Sequence, residues 1–398
     1  MRRYFDILLF SIFIPIIGCT VPFDFNPESF EEVLVIEGTL TNETKSHIVR
    51  VSYTYPLTEQ QGQNFVNDAI VIIEDQDGDQ RSLLSIGEGE YITPSNFSGE
   101  LGNSYRLIVR MFNGLEYQSS FEEMTPSPPI DSIYDRYTEL SFDDQTENDR
   151  GIQFFVDTHD DSNSAQFFRY EYDETWQVRV PFPSQYEIVD EEIVVRQIPI
   201  GVCYEYNESN NYTIGTTANN SVNQLTEHPL VFVSQRSPKI RSRYTILAKQ
   251  YALSEQAFLY YRKLKENNES TGSLFDKQTG TIVGNIINVD DPEEAVLGYF
   301  EVSGYSERRA FFSDRDFDDQ FAPAQYRYNC RLDDAKIMSL DDAVTYLGGL
   351  SSESEQIFNI ILTAEMLEGD APDSAIVMNK FCTSCSQFAD PNPPSYWE

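Results

Sequence analysis

Five cysteines hold most of the distinctive side-chain chemistry in this 398-residue chain. Cys19 follows Ile16-Ile17-Gly18 at the end of an apolar run that begins after Met1-Arg2-Arg3. A basic start, a short apolar stretch and a small residue before cysteine make a lipobox, in which cleavage leaves Cys19 first and its thiol is the group to be acylated. The run is shorter than the roughly 20 apolar residues a helical span needs, and it ends in acidic, Pro-containing sequence. Attachment is therefore expected through the acyl chains of Cys19, since several chains anchor stably where one is marginal. Cys203, Cys330, Cys382 and Cys385 are an even set in an exported chain, which predicts two disulfides and leaves three pairings open. Cys382-Thr383-Ser384-Cys385 also has dithiol spacing. Catalytic exchange, however, wants a thiolate at a helix N-terminus in a thioredoxin-like setting, and zinc wants a second such arm or nearby histidines. The histidines, His47, His159 and His228, are widely scattered.

Carboxylates are the other abundant chemistry, with 65 Asp and Glu against 28 Lys and Arg and a net charge of −37. Asp75-x-Asp77-Gly78-Asp79 and Asp314-x-Asp316-x-Asp318 place oxygens at alternating positions, as a hard-cation loop requires. The first lacks the glycine and the distal acid of an EF-hand and reads as an Asp-Gly hairpin turn. Asp314, Asp316 and Asp318 stand as calcium candidates beside the plainer reading of a solvated acidic loop. There is no Gly-x-Ser-x-Gly elbow, no His-Glu-x-x-His and no phosphate-binding loop, so no catalytic residue and no cofactor is assigned. A field this negative repels nucleic acid and anionic headgroups. Hydrophobic residues at 40% and aromatics at 13%, mostly Tyr and Phe, are enough for a folded core.

The elements that would carry these residues are mainly strands. Residues 1–18 read as the signal peptide and 19–32 as an acidic tether. Residues 33–128 read as an Ig-like β-sandwich: Val33 to Leu40, Ser46 to Tyr55 and Ala69 to Glu74 are β-branched runs with turns between them, and Pro126, Pro128 and Pro129 close the unit. Residues 129–398 read as a larger β-rich domain with a few helices. Within it, Pro181 to Pro199 looks like an excursion with its own pairing and Asn207 to Asn223 like a loop or edge. Ser254 caps a helix over 254–267 whose Ala257, Tyr260, Tyr261 and Leu264 form one stripe. Leu340–Leu347 and Glu353–Leu367 have near-helical spacing. The terminal Tyr396-Trp397 is expected to fill a groove on its own domain.

Six blocks carry a family resemblance: Gly38-Thr39-Leu40-Thr41-Asn42, Gly102-x-x-Tyr105-x-Leu107, the stretch from Arg243 to Lys265, the segment Gly272 to Asp276, Gly284-Asn285-Ile286 and Leu297-Gly298-Tyr299-Phe300. They resemble the domain-of-unknown-function 4249 family, outer-membrane lipoproteins of Bacteroidota often encoded beside TonB-dependent transporters. The Cys382-x2-Cys385 arm and the Pro394-Ser395-Tyr396-Trp397 end are similar to the family's closing signature, although the usual Gly-Gly linker is missing. The resemblance implies an outer-membrane, surface-exposed lipoprotein that partners a TonB-dependent barrel, and the missing catalytic motifs add the expectation that it is non-catalytic. A surface hydrolase for glycan or peptide, and a structural or adhesive envelope module, are the alternatives.

Overall fold

The computed structural model describes residues 32–55, 64–141, 148–190, 192–269, 282–317, 321, 326, 328, 330, 331, 333, 335–348, 358–363 and 374–397. Short alternating runs become strands almost throughout. The first series is β1 (Leu34–Thr41), β2 (Ile48–Tyr53), β3 (Asn64–Phe65), β4 (Ile70–Asp75), β5 (Gln80–Ser82), β6 (Leu84–Gly87), β7 (Glu90–Ile92), β8 (Ser104–Arg110), β9 (Glu116–Ser119) and β10 (Glu122–Glu123). The second runs β11 (Ile130–Leu140), β12 (Asp149–His159), β13 (Phe167–Arg179), β14 (Tyr186–Val189), β15 (Glu192–Val195), β16 (Val202–Glu208), β17 (Thr213–Thr216), β18 (Gln224–Ser234) and β19 (Tyr244–Ala252). After helix α1 (Glu255–Glu269) come β20 (Ile286–Asn288), β21 (Val296–Leu297), β22 (Phe300–Phe312), β23 (Lys336–Ser339), α2 (Leu340–Gly348), β24 (Phe358–Thr363), β25 (Ser374–Asn379) and α3 (Lys380–Thr383). The protein is mainly β.

One long sheet organises the molecule, in the order β16-β13-β19-β22-β1-β2-β7-β6. Its β1-β2-β7-β6 half packs on a second sheet, β20-β9-β8-β4-β5, as a sandwich whose core includes Ile36, Val51, Tyr91, Ile73, Leu107 and Tyr117. Its β16-β13-β19-β22 half packs on a third sheet, β11-β12-β18, around Phe154, Phe168, Tyr170, Tyr244 and Ile246. Period-two burial makes this possible, because alternate residues of one strand face opposite layers. On β13, Phe168 and Tyr170 enter the second core, while Arg169 between them faces the other side and stacks on Tyr251 of β19.

Residues 33–128 supply most of the first sandwich but do not close it. The missing strands arrive from far along the chain: β20 pairs with β9, and β21 and the start of β22 run parallel to β1. The first residues of β22, Phe300 to Ser303, pair with Gly38 to Thr41, and its remainder, Gly304 to Phe312, pairs antiparallel with β19. A single 13-residue strand thus belongs to both sandwiches, and the boundary at 128/129 divides the chain but not the sheet.

Four of the blocks that carry the family resemblance, those at Gly38, Arg243, Gly284 and Leu297, meet at this seam, while Gly272 to Asp276 lies outside the described residues. The Gly38 N–H donates to Tyr299 O at 3.1 Å, the Tyr305 N–H to Asn42 Oδ1 at 2.6 Å and the Phe300 N–H to Asn285 Oδ1 at 2.9 Å. Gly298 has φ +98°, and a Cβ there would overlap the Ile36 carbonyl, so only glycine admits so close a backbone approach. Beneath lies a buried ion pair. Arg169 Nε and Nη2 donate to Glu301 at 3.1 and 3.0 Å, Ser303 Oγ adds a bond at 2.7 Å, and Glu171 takes Arg169 Nη1. Helix α1 roofs the site: Ser254 Oγ accepts from the Ala257 N–H at 3.1 Å, and Ala257, Phe258 and Tyr260 are buried against Tyr251 and Tyr299.

Two local expectations change. Glu353–Leu367 was expected to be helical, but Phe358–Thr363 forms β24 on β25. The run Phe358-Asn359-Ile360-Ile361-Leu362 is aromatic and β-branched, and an available strand edge overrides its approximate helical spacing. Asn207–Asn223, read as loop or edge, contains the short strand Thr213–Thr216 beside β13.

Arg169→Met should destabilise the protein by about 3–5 kcal/mol in urea unfolding, because Glu301 stays buried without its counter-charge. The double substitution Arg169→Met with Glu301→Met should recover most of that loss. Equal loss in the single and double variants would mean that packing, not charge, holds the seam.

Candidate functional site

At the far end of the long sheet from the buried ion pair, a cleft of about 530 Å³ opens where three strands finish or begin. The end of β13 supplies Gln177 to Val180, the approach to β19 supplies Arg241 to Arg243, and the segment after β22 supplies Ser313 to Arg315. Tyr326, Tyr328, Phe381 and Phe388 form the facing wall. The volume lies in the range of small-molecule sites. In a chain of net charge −37, four arginines, Arg179, Arg241, Arg243 and Arg315, line this one cleft.

Their positions are set by packing. The Arg241 guanidinium lies 3.7 Å from the Tyr326 ring centroid, and Arg243 lies 4.9 Å from Phe311 and 5.5 Å from Trp397. Arg179 Nε donates to Gln177 Oε1 at 2.9 Å, which also accepts from Ser242 Oγ at 2.9 Å. Two carboxylates share the lining, Glu205 and Asp314. Glu205 accepts from Trp176 Nε1 at 2.8 Å, and Asp314 from Ser313 Oγ at 3.1 Å. The lining thus sets cationic side chains beside aromatic faces and two carboxylates.

The disulfides hold the wall in place. Cys203 pairs with Cys385 and Cys330 with Cys382, with Cα separations of 5.8 Å in both. The Cys-x2-Cys arm therefore bonds outward to two different segments and not to itself. Phe381 and Phe388 flank the arm, and Tyr328 stacks on Phe381 at 4.9 Å and meets Phe388 edge-on at 5.4 Å. Beyond it the chain adds to the edge of β16: the Tyr204 N–H donates to Asp390 O at 2.8 Å and the Asp390 N–H returns to Tyr204 O at 3.0 Å. Trp397 packs on Tyr204 and Phe311, and Tyr396 OH meets Thr175 Oγ1 at 2.8 Å with Arg309 over its ring. The aromatic end fills its own sheet's groove.

The remaining sequence candidates fall elsewhere. Asp75 Oδ1 accepts from the Asp77 and Asp79 N–H groups at 3.0 and 2.9 Å, and Gly78 has φ +90°, the geometry of a hairpin turn. Asp316 Oδ2 accepts from the Ser313 N–H at 2.8 Å, which places the Asp314 to Asp316 turn at the cleft rim; Asp318 and Cys19 lie outside the described residues. Among the described residues no three His, Cys, Asp or Glu side chains gather as a metal site. The histidines stand apart. His47 sits between Thr41 and Thr93 in the first sandwich and His228 beside Thr213 and Tyr170, and burial pushes both down to about 4. His159 is exposed and bonds Asp131 at 2.7 Å, which raises it. Its other ring nitrogen faces Asp161 at 3.8 Å.

The model of the family described as "Domain of unknown function (DUF4249)" matches residues 20–309. This chain belongs to that family. No curated protein matches it. The match covers the whole seam and includes Arg179, Arg241 and Arg243, whereas Arg315 and the cleft's facing wall lie beyond it. Sequence reading missed the cleft because its arginines are scattered from 179 to 315. The one local signal was the close pair Arg241-Ser242-Arg243 just before a strand.

Two outcomes follow. The double variant Cys203→Ser with Cys385→Ser should lower the unfolding free energy, by at most about 5 kcal/mol on chain-entropy grounds for a loop of 182 residues. Tryptophan fluorescence should also report loosening of Trp397; an unchanged urea midpoint would deny the bridge its structural role. Because His47 and His228 bind protons less readily folded than unfolded, their contribution is intact above about pH 6.5 and is lost as pH falls through 4. Imidazole NMR titration should give midpoints near 4 for these two and one above the usual value for His159, and Asp131→Asn should lower only the last.

Proposed function

We propose that this protein is a lipid-anchored, non-catalytic capture subunit on the outward face of the outer membrane, serving a TonB-dependent transporter. The observation that carries the reading is the cleft. Its lining of guanidiniums, aromatic rings and two carboxylates is suited to hold a ligand.

The anchoring part rests on the sequence from Met1 to Cys19, and the family match begins at residue 20, directly after that cysteine. Acyl chains on Cys19 are the anchor that the lipobox provides; among the described residues no helix is long and apolar enough to cross a membrane. Disulfides joining segments 182 and 52 residues apart fit an oxidising, exported setting. The barrel partner follows from what the family resemblance implies.

Cys19→Ala should move the protein from the membrane fraction to the soluble one, and persistent attachment would defeat the lipid anchor. A mild-detergent pull-down with mass spectrometry should recover a TonB-dependent barrel. Recovery with envelope polymer and no barrel would favour a structural module, and a glycan- or peptide-cleaving activity abolished by one carboxylate substitution would favour a hydrolase.

A further inference from the structure

We infer that the end of the first sandwich where the chain enters β1 makes a second contact with the lipid bilayer, through an apolar lip led by Phe112. The inference rests on the acyl anchor at Cys19 proposed above and goes beyond it, to which face of the folded body meets the lipid.

Strand register builds the lip. Val71 and Ile73 of β4 face the core, so Ile70 faces outward. Ile70 lies opposite Arg110 of β8, Arg110 opposite Glu116 of β9, and the Val289 N–H donates to Glu116 O at 2.9 Å. The row thus has exposed aliphatic side chains, Ile70 and Val289, at its two ends and the Arg110–Glu116 ion pair between them. The β8–β9 turn projects past this row. Its Gly114 N–H donates to Met111 O at 3.0 Å and its Leu115 N–H to Asn113 Oδ1 at 3.1 Å, a fixed turn that carries Phe112 at its tip, 87% exposed. A ring displayed on a rigid tip beside other exposed apolar groups is surface that gains from leaving water.

The path of the chain names the occupant. The turn after Val289 leads to Val296, which pairs with Leu34, the first residue of β1. On the other side, β3 pairs with Ser52 and Tyr53 at the end of β2 and leads directly into β4 at Ile70, and Asn64 Nδ2 donates to Glu32 Oε1 at 3.4 Å. Lip and entry point therefore share one end of the sandwich, where Tyr55 and Phe65 are also exposed. Cys19 and Glu32 are 13 positions apart, a length that spans at most roughly 45 Å. With the acyl chains in a bilayer, this end stays within that reach of the lipid surface, and a weak apolar contact is strengthened because it forms within one anchored molecule. On its own such a contact is marginal, so Cys19→Ala still releases the chain. Asp68 precedes the lip and Asp290 follows it, in a protein of net charge −37, so the contact is made by apolar burial and gains nothing from anionic headgroups.

The test reconstitutes the lipidated full chain in phosphatidylcholine vesicles whose acyl chains carry bromine, a quencher of indole fluorescence. Against the background of Trp176 and Trp397 in the parent, the indole introduced by Phe112→Trp should lose emission, whereas one introduced by Tyr206→Trp, exposed on β16 in the other half of the long sheet, should keep it. Phe112→Asp should melt like the parent, because the side chain it replaces is solvent-exposed, and should lose the vesicle-dependent slowing of amide exchange that the parent shows over Arg110 to Leu115. Flotation with the vesicles reads the anchor separately. Protein that floats without quenching at position 112, or with equal quenching at both positions, overturns the lip and leaves the anchor standing; protein that does not float removes both. A dimer in detergent that Phe112→Asp dissociates would assign the lip to a second copy, and a barrel that co-purifies with the parent but not with Phe112→Asp would assign it to a protein partner; either result overturns the inference.

Discussion

Arg169 and Glu301 meet inside the protein, 4% and 0% exposed, where an unpaired charge would cost several kcal/mol. Because neither can be left alone, they couple β13 to the part of β22 that lies beside β1. Arg169 also stacks on Tyr251, and Tyr251 packs on Tyr305 at 5.3 Å, so the row crosses β13, β19 and β22. A one-residue slip of β13 would turn the guanidinium into the Phe154 and Tyr244 core and push Phe168 or Tyr170 out of it. The pair therefore fixes register more than it adds stability, and both sandwiches inherit their alignment from it.

That alignment explains why the chain is woven as it is. The first sandwich cannot complete its sheets until residues 286–303 return to it, more than 150 residues after its own last strand. Contacts so distant in sequence make folding slow, because loop closure precedes any gain from burial. The backbone is correspondingly tight at the point of return. Gly284 and Gly298 lie in contact, Gly298 abuts the Ile36 carbonyl, and Gly304 abuts Thr125 to Ser127 in the Pro-rich link between the two units. These glycines mark places where two backbones approach more closely than a Cβ permits.

The seam buries a paired charge, and the cleft at the other end of the sheet gathers cations at its surface. Over most of the surface the acids dominate, which suits solubility and discourages anionic polymers. Where β13 and β22 end and β19 begins four arginines gather, Arg241 and Arg243 beside rings and Arg179 beside the Gln177 amide. Among the described residues the C-terminal segment that walls the cleft forms small apolar clusters around Val377, Met378 and Cys385, and the two disulfides add constraint to them.

The β class, the Asp-Gly hairpin, the capped helix after Ser254, the even cysteine set and the folded-back aromatic end were legible in the sequence because each depends on neighbours within a few residues. Alternation, turn dipeptides and caps are local, and local rules read them. The pairing of Cys382 and Cys385 with different partners, the strand at Phe358–Thr363, the strand shared by two sandwiches and the arginine cleft were decided only in three dimensions. Each of these joins residues tens to hundreds of positions apart, and a linear pattern carries no record of which distant edges will pair. What the chain spells out is its elements; burying Arg169 against Glu301 decides how they are arranged.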